Sequence, residues 1–192
     1  MLVELVIHAV AGSAADSDRS MLLLKEKNGE RILPIMMSTR RALTLMMRSR
    51  VPLPMPVPAS VPDASLLLLR KFEIALKRME LTSIQEGIFF CKLVAEREGE
   101  EKTLDFCPAH DGLVLSTMAL CPVMIEDELL EAQYLHKTGE NTFAININTL
   151  TRNMLEDALK HAVESENYEA ASHLRDELAK RTSHEGEPPE AH

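Results

Sequence analysis

The run Asp105-Phe106-Cys107-Pro108-Ala109-His110-Asp111 gathers two carboxylates, a thiol and an imidazole into a few residues. Phosphodiester hydrolysis needs the phosphate charge neutralised, a water positioned and, commonly, a divalent cation held by carboxylates. Asp105, Asp111 and His110 are the candidate catalytic residues, with His110 as a general base. A phosphate can sit at the N-terminus of the helix that follows, where free backbone amides point outward. If the site is catalytic, a divalent cation such as magnesium is the cofactor this chemistry would use. The same residues also have plain structural roles: Asp111 charges the first turn of a helix favourably, Asp105 is an exposed strand residue and His110 a solvated loop residue. Cys107 and His110 have the spacing of two metal ligands, but a zinc site takes four and no second pair is evident.

Basic residues supply a second signal. Arg40, Arg41 and Arg48 fall within roughly 100° of one another on a helix. Arg70, Lys71, Lys77 and Arg78 cluster on one side of the next predicted helix. Either group can contact a DNA or RNA backbone, where each neutralised phosphate releases counterions, or can simply solvate a helix face. Neither a phosphate-binding loop nor a nucleophile elbow is present.

Strands and helices must carry these side chains. Leu2 to Ile7 reads as a strand and Ala11 to Ser20 as a turn or loop. Leu22 to Ile35 reads as a hairpin around Asn28-Gly29, a pair suited to a type I′ turn. Ser38 can cap a helix to about Ser49, and the segment holding Pro52, Pro54, Pro56, Pro58 and Pro62 predicts a stiff, extended crossover. A second helix is predicted from Asp63 to about Met79, then a strand at Leu81–Ile84. A second hairpin pairs Ile88–Ala95 with Lys102–Phe106, followed by a helix over Ala109–Ala119, a strand at Val123–Ile125 and a short helix over Asp127–Leu135. Leu22–Ser49 and Phe90–Ala119 repeat the same order of elements, which predicts an α+β fold: a mixed sheet with packed helices built from two hairpin-and-helix units. Residues 136–150 read as a linker, with an edge strand possible at Phe143–Ile145. Two amphipathic helices follow, the first with Thr151 at its cap and the second with Asn167. The short connection between them forces an antiparallel C-terminal hairpin, which must dock on the body, a second copy or a partner. Residues 182–192 read as a disordered tail.

The 192 residues carry a net charge of −9, with 45% hydrophobic and 27% charged residues. That composition belongs to soluble globular proteins, and an acidic chain can meet nucleic acid only through a local basic face. No apolar run reaches the roughly 18 residues that a membrane-spanning helix needs. Met1 to Val6 lacks a basic leader and reads as a strand, and three widely spaced cysteines argue for a reducing compartment, so cytoplasmic residence is expected.

Residues 158–178, with Ala162-Val163-Glu164, Tyr168-Glu169-Ala170-Ala171 and Leu174-Arg175-Asp176-Glu177, closely resemble the UVR motif, the helical hairpin of the excision-repair proteins UvrB and UvrC. The resemblance spans residues 151–181 and implies protein–protein contact, often hairpin to hairpin. It points to Tyr168, Ala171, Leu174, Arg175 and Leu178 as partner-binding residues. It also implies a partner with a UVR motif or self-association into a homo-oligomer. Residues 1–135 resemble the bifunctional nuclease domain family through Leu22–Ile35, Leu81–Phe90 and Asp105–Asp111. That resemblance implies cleavage of DNA or RNA. The chain departs from the family pattern in three places: Cys107 stands where an arginine is usual, Arg41-Ala42 where a Glu-Ala pair is usual, and Asp63-Ala64-Ser65 where a His-Asp pair is usual. Two functions remain open on the sequence: a phosphodiester hydrolase with a recruiting hairpin, or a catalytically degenerate adaptor linked to DNA repair or stress.

Overall fold

The computed structural model describes residues 1–12, 18–50, 61–137 and 143–184, with the side chains of 47–50, 61, 63, 137, 143, 183 and 184 outside that description. The first unit comprises strands β1 (Leu2–Gly12), β2 (Arg19–Glu26) and β3 (Ile32–Ser38), then helix α1 (Thr39–Arg50). After α2 (Val61–Lys71), the second comprises β4 (Ala75–Gln85), β5 (Ile88–Arg97) and β6 (Glu100–Pro108), then α3 (Ala109–Ala119). Strand β7 (Val123–Glu126) and helix α4 (Asp127–Gln133) follow. The seven strands form one mixed sheet in the order β3-β2-β1-β7-β4-β5-β6, in which β7 pairs antiparallel with β1 and parallel with β4. The expected repeat is present, but its unit is a three-stranded meander plus a helix. The two meanders run outward from β7 to opposite edges, and α1 and α3 pack against each other.

Alternation along the strands decides which face is covered. Val3, Leu5, Leu22, Leu24, Leu33, Ile35, Met79, Leu81, Cys91 and Leu93 share one buried cluster with Ala42 and Leu45 of α1, Leu66 of α2 and Leu113 and Met118 of α3. Each large side chain buried there contributes about 1.5–3 kcal/mol. The intervening positions carry charge: Glu80 accepts from Arg78 at 2.7 Å and from Lys92 at 2.9 Å, and Glu4 accepts from Lys27 at 2.8 Å.

Helix α3 is buried on several sides, through Ala109, Gly112, Leu113, Val114, Ser116 and Met118. Gly112 permits this depth, because a Cβ there would lie 2.5 Å from Cys91 Sγ. The helix ends on Leu120 in the left-handed region at φ 57°, with Cys121 N–H returning to Ser116 O at 3.0 Å.

Two local expectations need correction. The second helix stops at Lys71 rather than near Met79: Glu73 adopts φ 58° and Ala75 onward is strand, because Met79 and Leu81 gain a fully buried place between β5 and β7. Asn28-Gly29 does not form a type I′ turn. Neither residue has positive φ, and the loop is closed by Glu26 N–H to Arg31 O at 3.0 Å and by Arg31 gripping Glu26, Asp127 and Glu131. The two-residue turns lie at Glu86-Gly87 (φ 53° and 76°) and Glu98-Gly99 (φ 55° and 85°), where both central residues have positive φ as a type I′ turn requires. Of the proline-rich crossover, residues 51–60 lie outside the described residues.

The C-terminal part begins with a two-stranded pair, β8 (His136–Lys137) and β9 (Phe143–Ala144), and a 3-10 turn at Ile147–Thr149. Helices α5 (Arg152–Glu164) and α6 (Tyr168–His184) then pack as an antiparallel hairpin. Asn167 Oδ1 caps α6 by accepting from Ala170 N–H at 3.2 Å. Helix α6 runs through residues 182–184, which the sequence assigned to the tail, and 185–192 lie outside the described residues. Among the described residues no helix is long and apolar enough to cross a membrane.

Candidate nucleic-acid cleft

Strand β6 delivers the chain into α3 through Pro108, whose position before the helix leaves the first amides of α3 without a side-chain cap. His110 follows in the first turn. Its Nε2 lies 3.3 Å from Asp111 Oδ2, and its side chain is 18% exposed against 60% for Asp111. Burial pushes the His110 pKa below its ordinary value of 6.5; Asp111 opposes that shift and Arg41 reinforces it. The imidazole is therefore neutral near pH 7. In the neutral ring one nitrogen keeps a lone pair that can accept a proton, and the Asp111 carboxylate lies close enough to Nε2 to stabilise the charge that results.

His110 opens into a cleft of 540 Å³ lined by the end of β3 and the start of α1 (Ser38, Arg41), the β4–β5 turn (Glu86), the start of α3 (Ala109) and the start of α5 (Thr151 to Met154), with Asp18 and Arg19 completing the wall. The N-termini of three helices, α1, α3 and α5, thus line one space. Ser38 Oγ accepts from Arg41 N–H at 3.4 Å, and Arg19 donates to Thr151 Oγ1 at 3.4 Å. Three arginines, Arg19, Arg41 and Arg152, share the cleft with two carboxylates, Asp18 and Glu86. Positive side chains, helix N-termini and a neutral imidazole are a combination suited to a phosphate ester.

The predicted site residues divide accordingly. His110, Asp111 and Arg41 come together. Asp105 does not join them: it is exposed on β6, beside Thr103 Oγ1 at 3.4 Å, and is separated from Cys107 by Phe106 at φ 60°. Arg40 is exposed and does not line the cleft, and the Arg48 side chain lies outside the described residues. Arg70 and Lys71 occupy the last turn of α2, where they complement the helix dipole. Lys77 and Arg78 are on β4, paired with Glu96 at 3.3 Å and with Glu80 and Glu101, so the expected basic helix face does not exist. Cys107 stands opposite Cys91 in the β5–β6 ladder rather than forming a ligand pair with His110. Arg19, Arg152 and Glu86 were not singled out by the sequence, since nothing local marks residues that meet only in three dimensions, and Thr151, expected as a helix cap, makes no side-chain cap hydrogen bond and accepts from Arg19 instead. On the hairpin, Tyr168 is 70% exposed and Arg175 exposed, whereas Ala171 is buried and Leu174 and Leu178 are half-buried.

A family model described as the bifunctional nuclease domain matches residues 22–138, well over half of the chain. The chain belongs to the bifunctional nuclease domain family. No curated protein gives a significant match. The nuclease-domain segment starts inside β2, yet β1 pairs with both β2 and β7, so the folded unit extends back to the N-terminal strand. Membership supports a nuclease-like, nucleic-acid-binding role. Among the described residues no three His, Cys, Asp or Glu side chains converge to hold a metal ion. Side chains and backbone amides of the described residues are what the cleft offers a phosphate.

Proposed function

We propose that this protein binds DNA or RNA along the arginine-lined cleft and hydrolyses a phosphodiester there. His110 takes the proton from the attacking water as that oxygen bonds to phosphorus; the P–O bond to the leaving oxygen breaks, the leaving oxygen is protonated by the imidazolium or by solvent, and Asp111, 3.3 Å from Nε2, stabilises the imidazolium while it lasts. Arg41 and the uncapped amides of α3 neutralise the phosphate, while Arg19 and Arg152 hold the flanking backbone. The observation that carries this reading is a largely buried histidine beside a carboxylate, opening into a cleft with three arginines and three helix N-termini. Purified protein incubated with labelled single- and double-stranded DNA and RNA should cleave at least one substrate, and His110→Ala should lose that activity while Asp105→Asn keeps it. Cleavage by His110→Ala at the wild-type rate would remove the assignment.

A non-catalytic second reading is favoured by Arg41, which puts a cation beside His110 where the family pattern has a carboxylate. On that reading the cleft binds a nucleic-acid backbone without cutting it, and salt-sensitive binding with no cleavage in any metal supports it. In either case we infer that α5 and α6 form a UVR-type hairpin whose exposed Tyr168 and Arg175 meet a second such hairpin, from another protein or another copy of this chain, in the cytoplasm. Loss of partners or of self-association on replacing Tyr168 with Ala tests that part.

A further inference from the structure

The family-defining segment does not contain the whole cleft: Thr151, Arg152, Asn153 and Met154 lie beyond residue 138 and line it. Their position is tightly set. Arg181 of α6 is 6% exposed and donates to the carbonyls of Leu150 at 2.7 Å, Asn148 at 3.3 Å and Ile147 at 3.4 Å, and to Glu177 at 3.0 Å. Leu155 is fully buried, and a Cβ on Gly87 would collide with the backbone of Leu150 and Thr151, so the β4–β5 turn packs directly against the hairpin's first residues.

Charge gives this packing a consequence. Among the described residues that line the cleft there are three arginines and two carboxylates; without Arg152 the numbers are two and two. The Arg152–Glu156 pair, at 3.2 Å with both side chains more than two-fifths exposed, is weak enough to exchange for a phosphate.

We infer that the C-terminal hairpin is a wall of the nucleic-acid site, with Arg152 supplying one of the cations that the cleft turns towards a phosphate backbone and Arg181 fixing that wall in place. This rests on the nucleic-acid reading above and extends it: the hairpin belongs to the substrate site as well as to any partner interface.

The test measures binding of a fluorescein-labelled single-stranded oligonucleotide to the full chain across a salt series. Arg152→Gln is compared with Lys160→Gln, an equal loss of charge at an exposed position two turns further along α5. The expected result is that Arg152→Gln weakens binding at low salt several-fold and lowers the slope of log affinity against log salt by about 0.7, the value of one single-strand phosphate contact. Lys160→Gln should leave both unchanged. Arg181→Ala should also weaken binding and raise hydrogen exchange at residues 150–155. No binding by the wild-type chain overturns the nucleic-acid reading itself and this inference with it. Wild-type binding together with an unchanged slope in Arg152→Gln, or equal losses in Arg152→Gln and Lys160→Gln, overturns this inference alone.

Discussion

Replacing Gly112 with alanine tests how closely α3, and with it His110, is pressed onto the sheet. The backbone at Gly112 is ordinary helix, so the substitution should gain about 1 kcal/mol of helix propensity. Against that, the new Cβ would lie 2.5 Å from Cys91 Sγ and 3.2 Å from Met79 Sδ and Cε. Non-bonded atoms of this size prefer separations of about 3.5–4.0 Å, and Cys91 and Met79 are both fully buried, so relief requires moving the helix or repacking the core. Overpacking of this kind costs about 1–3 kcal/mol. The net expectation is a loss of about 1 kcal/mol, seen as a fall of about 2–4 °C in the melting midpoint for a chain of this length. A double-mutant cycle in urea separates the two effects. In a Cys91→Ala background the nearest clash is gone, so Gly112→Ala should become neutral or stabilising, with a coupling energy of about 1–3 kcal/mol. A Gly112→Ala protein more stable than wild type, or a coupling energy near zero, would refute the close packing on which the placement of His110 depends.

Other consequences follow from the same contacts. Burial alone would raise the pKa of Glu80, but hydrogen bonds from Lys92 and Arg78 outweigh it and hold the carboxyl below its ordinary 4.5. The stability it adds is present above 4.5 and is lost as pH falls through the lower folded value, so Glu80→Ala should cost about 1–3 kcal/mol at pH 7 and flatten the acid limb of a stability–pH profile. Leu120 is 92% exposed in a left-handed cap, and Leu120→Gly should raise stability by about 0.5–1 kcal/mol in the same urea titration. Burial raises the pKa of Cys91 and pushes that of Cys121 up to about 11, so both thiols should react slowly with a maleimide at pH 7.5 and rapidly once the protein is unfolded.

Much of this arrangement was legible in the chain because local signals agreed with the tertiary result. Helix α3 has the bounds read from the sequence, Ala109 to Ala119, where a strand pattern gives way abruptly to a helical one. Asn167 caps α6 as its position implied. Phe72 and Leu76 continue the helical spacing past the end of the second helix, while Met79 and Leu81, two apart, follow a strand spacing that wins once β5 and β7 offer partners. Asn28-Gly29 misled for a related reason: an ion-pair cluster around Arg31 favours a longer loop than the pair alone would form. At the site, His110, Asp111 and Arg41 were visible as chemistry, but Arg19 and Thr151 stand 132 positions apart and only the fold makes them neighbours. Asp105, close in sequence to His110, is turned away from it by the left-handed Phe106.

On the proposed mechanism His110, whose pKa burial and Arg41 lower, accepts a proton during phosphodiester cleavage. The most direct measurement is the pH dependence of cleavage rate for the wild type, His110→Ala and Arg41→Gln. Because the folded pKa is lowered from 6.5, the wild-type rate should rise with pH to a midpoint below 6.5. Arg41→Gln should move that midpoint upward, and His110→Ala should lower the plateau by about 100-fold or more and abolish the acid limb. An acid limb that persists unchanged in His110→Ala, with a rate within a few-fold of wild type, would contradict the account.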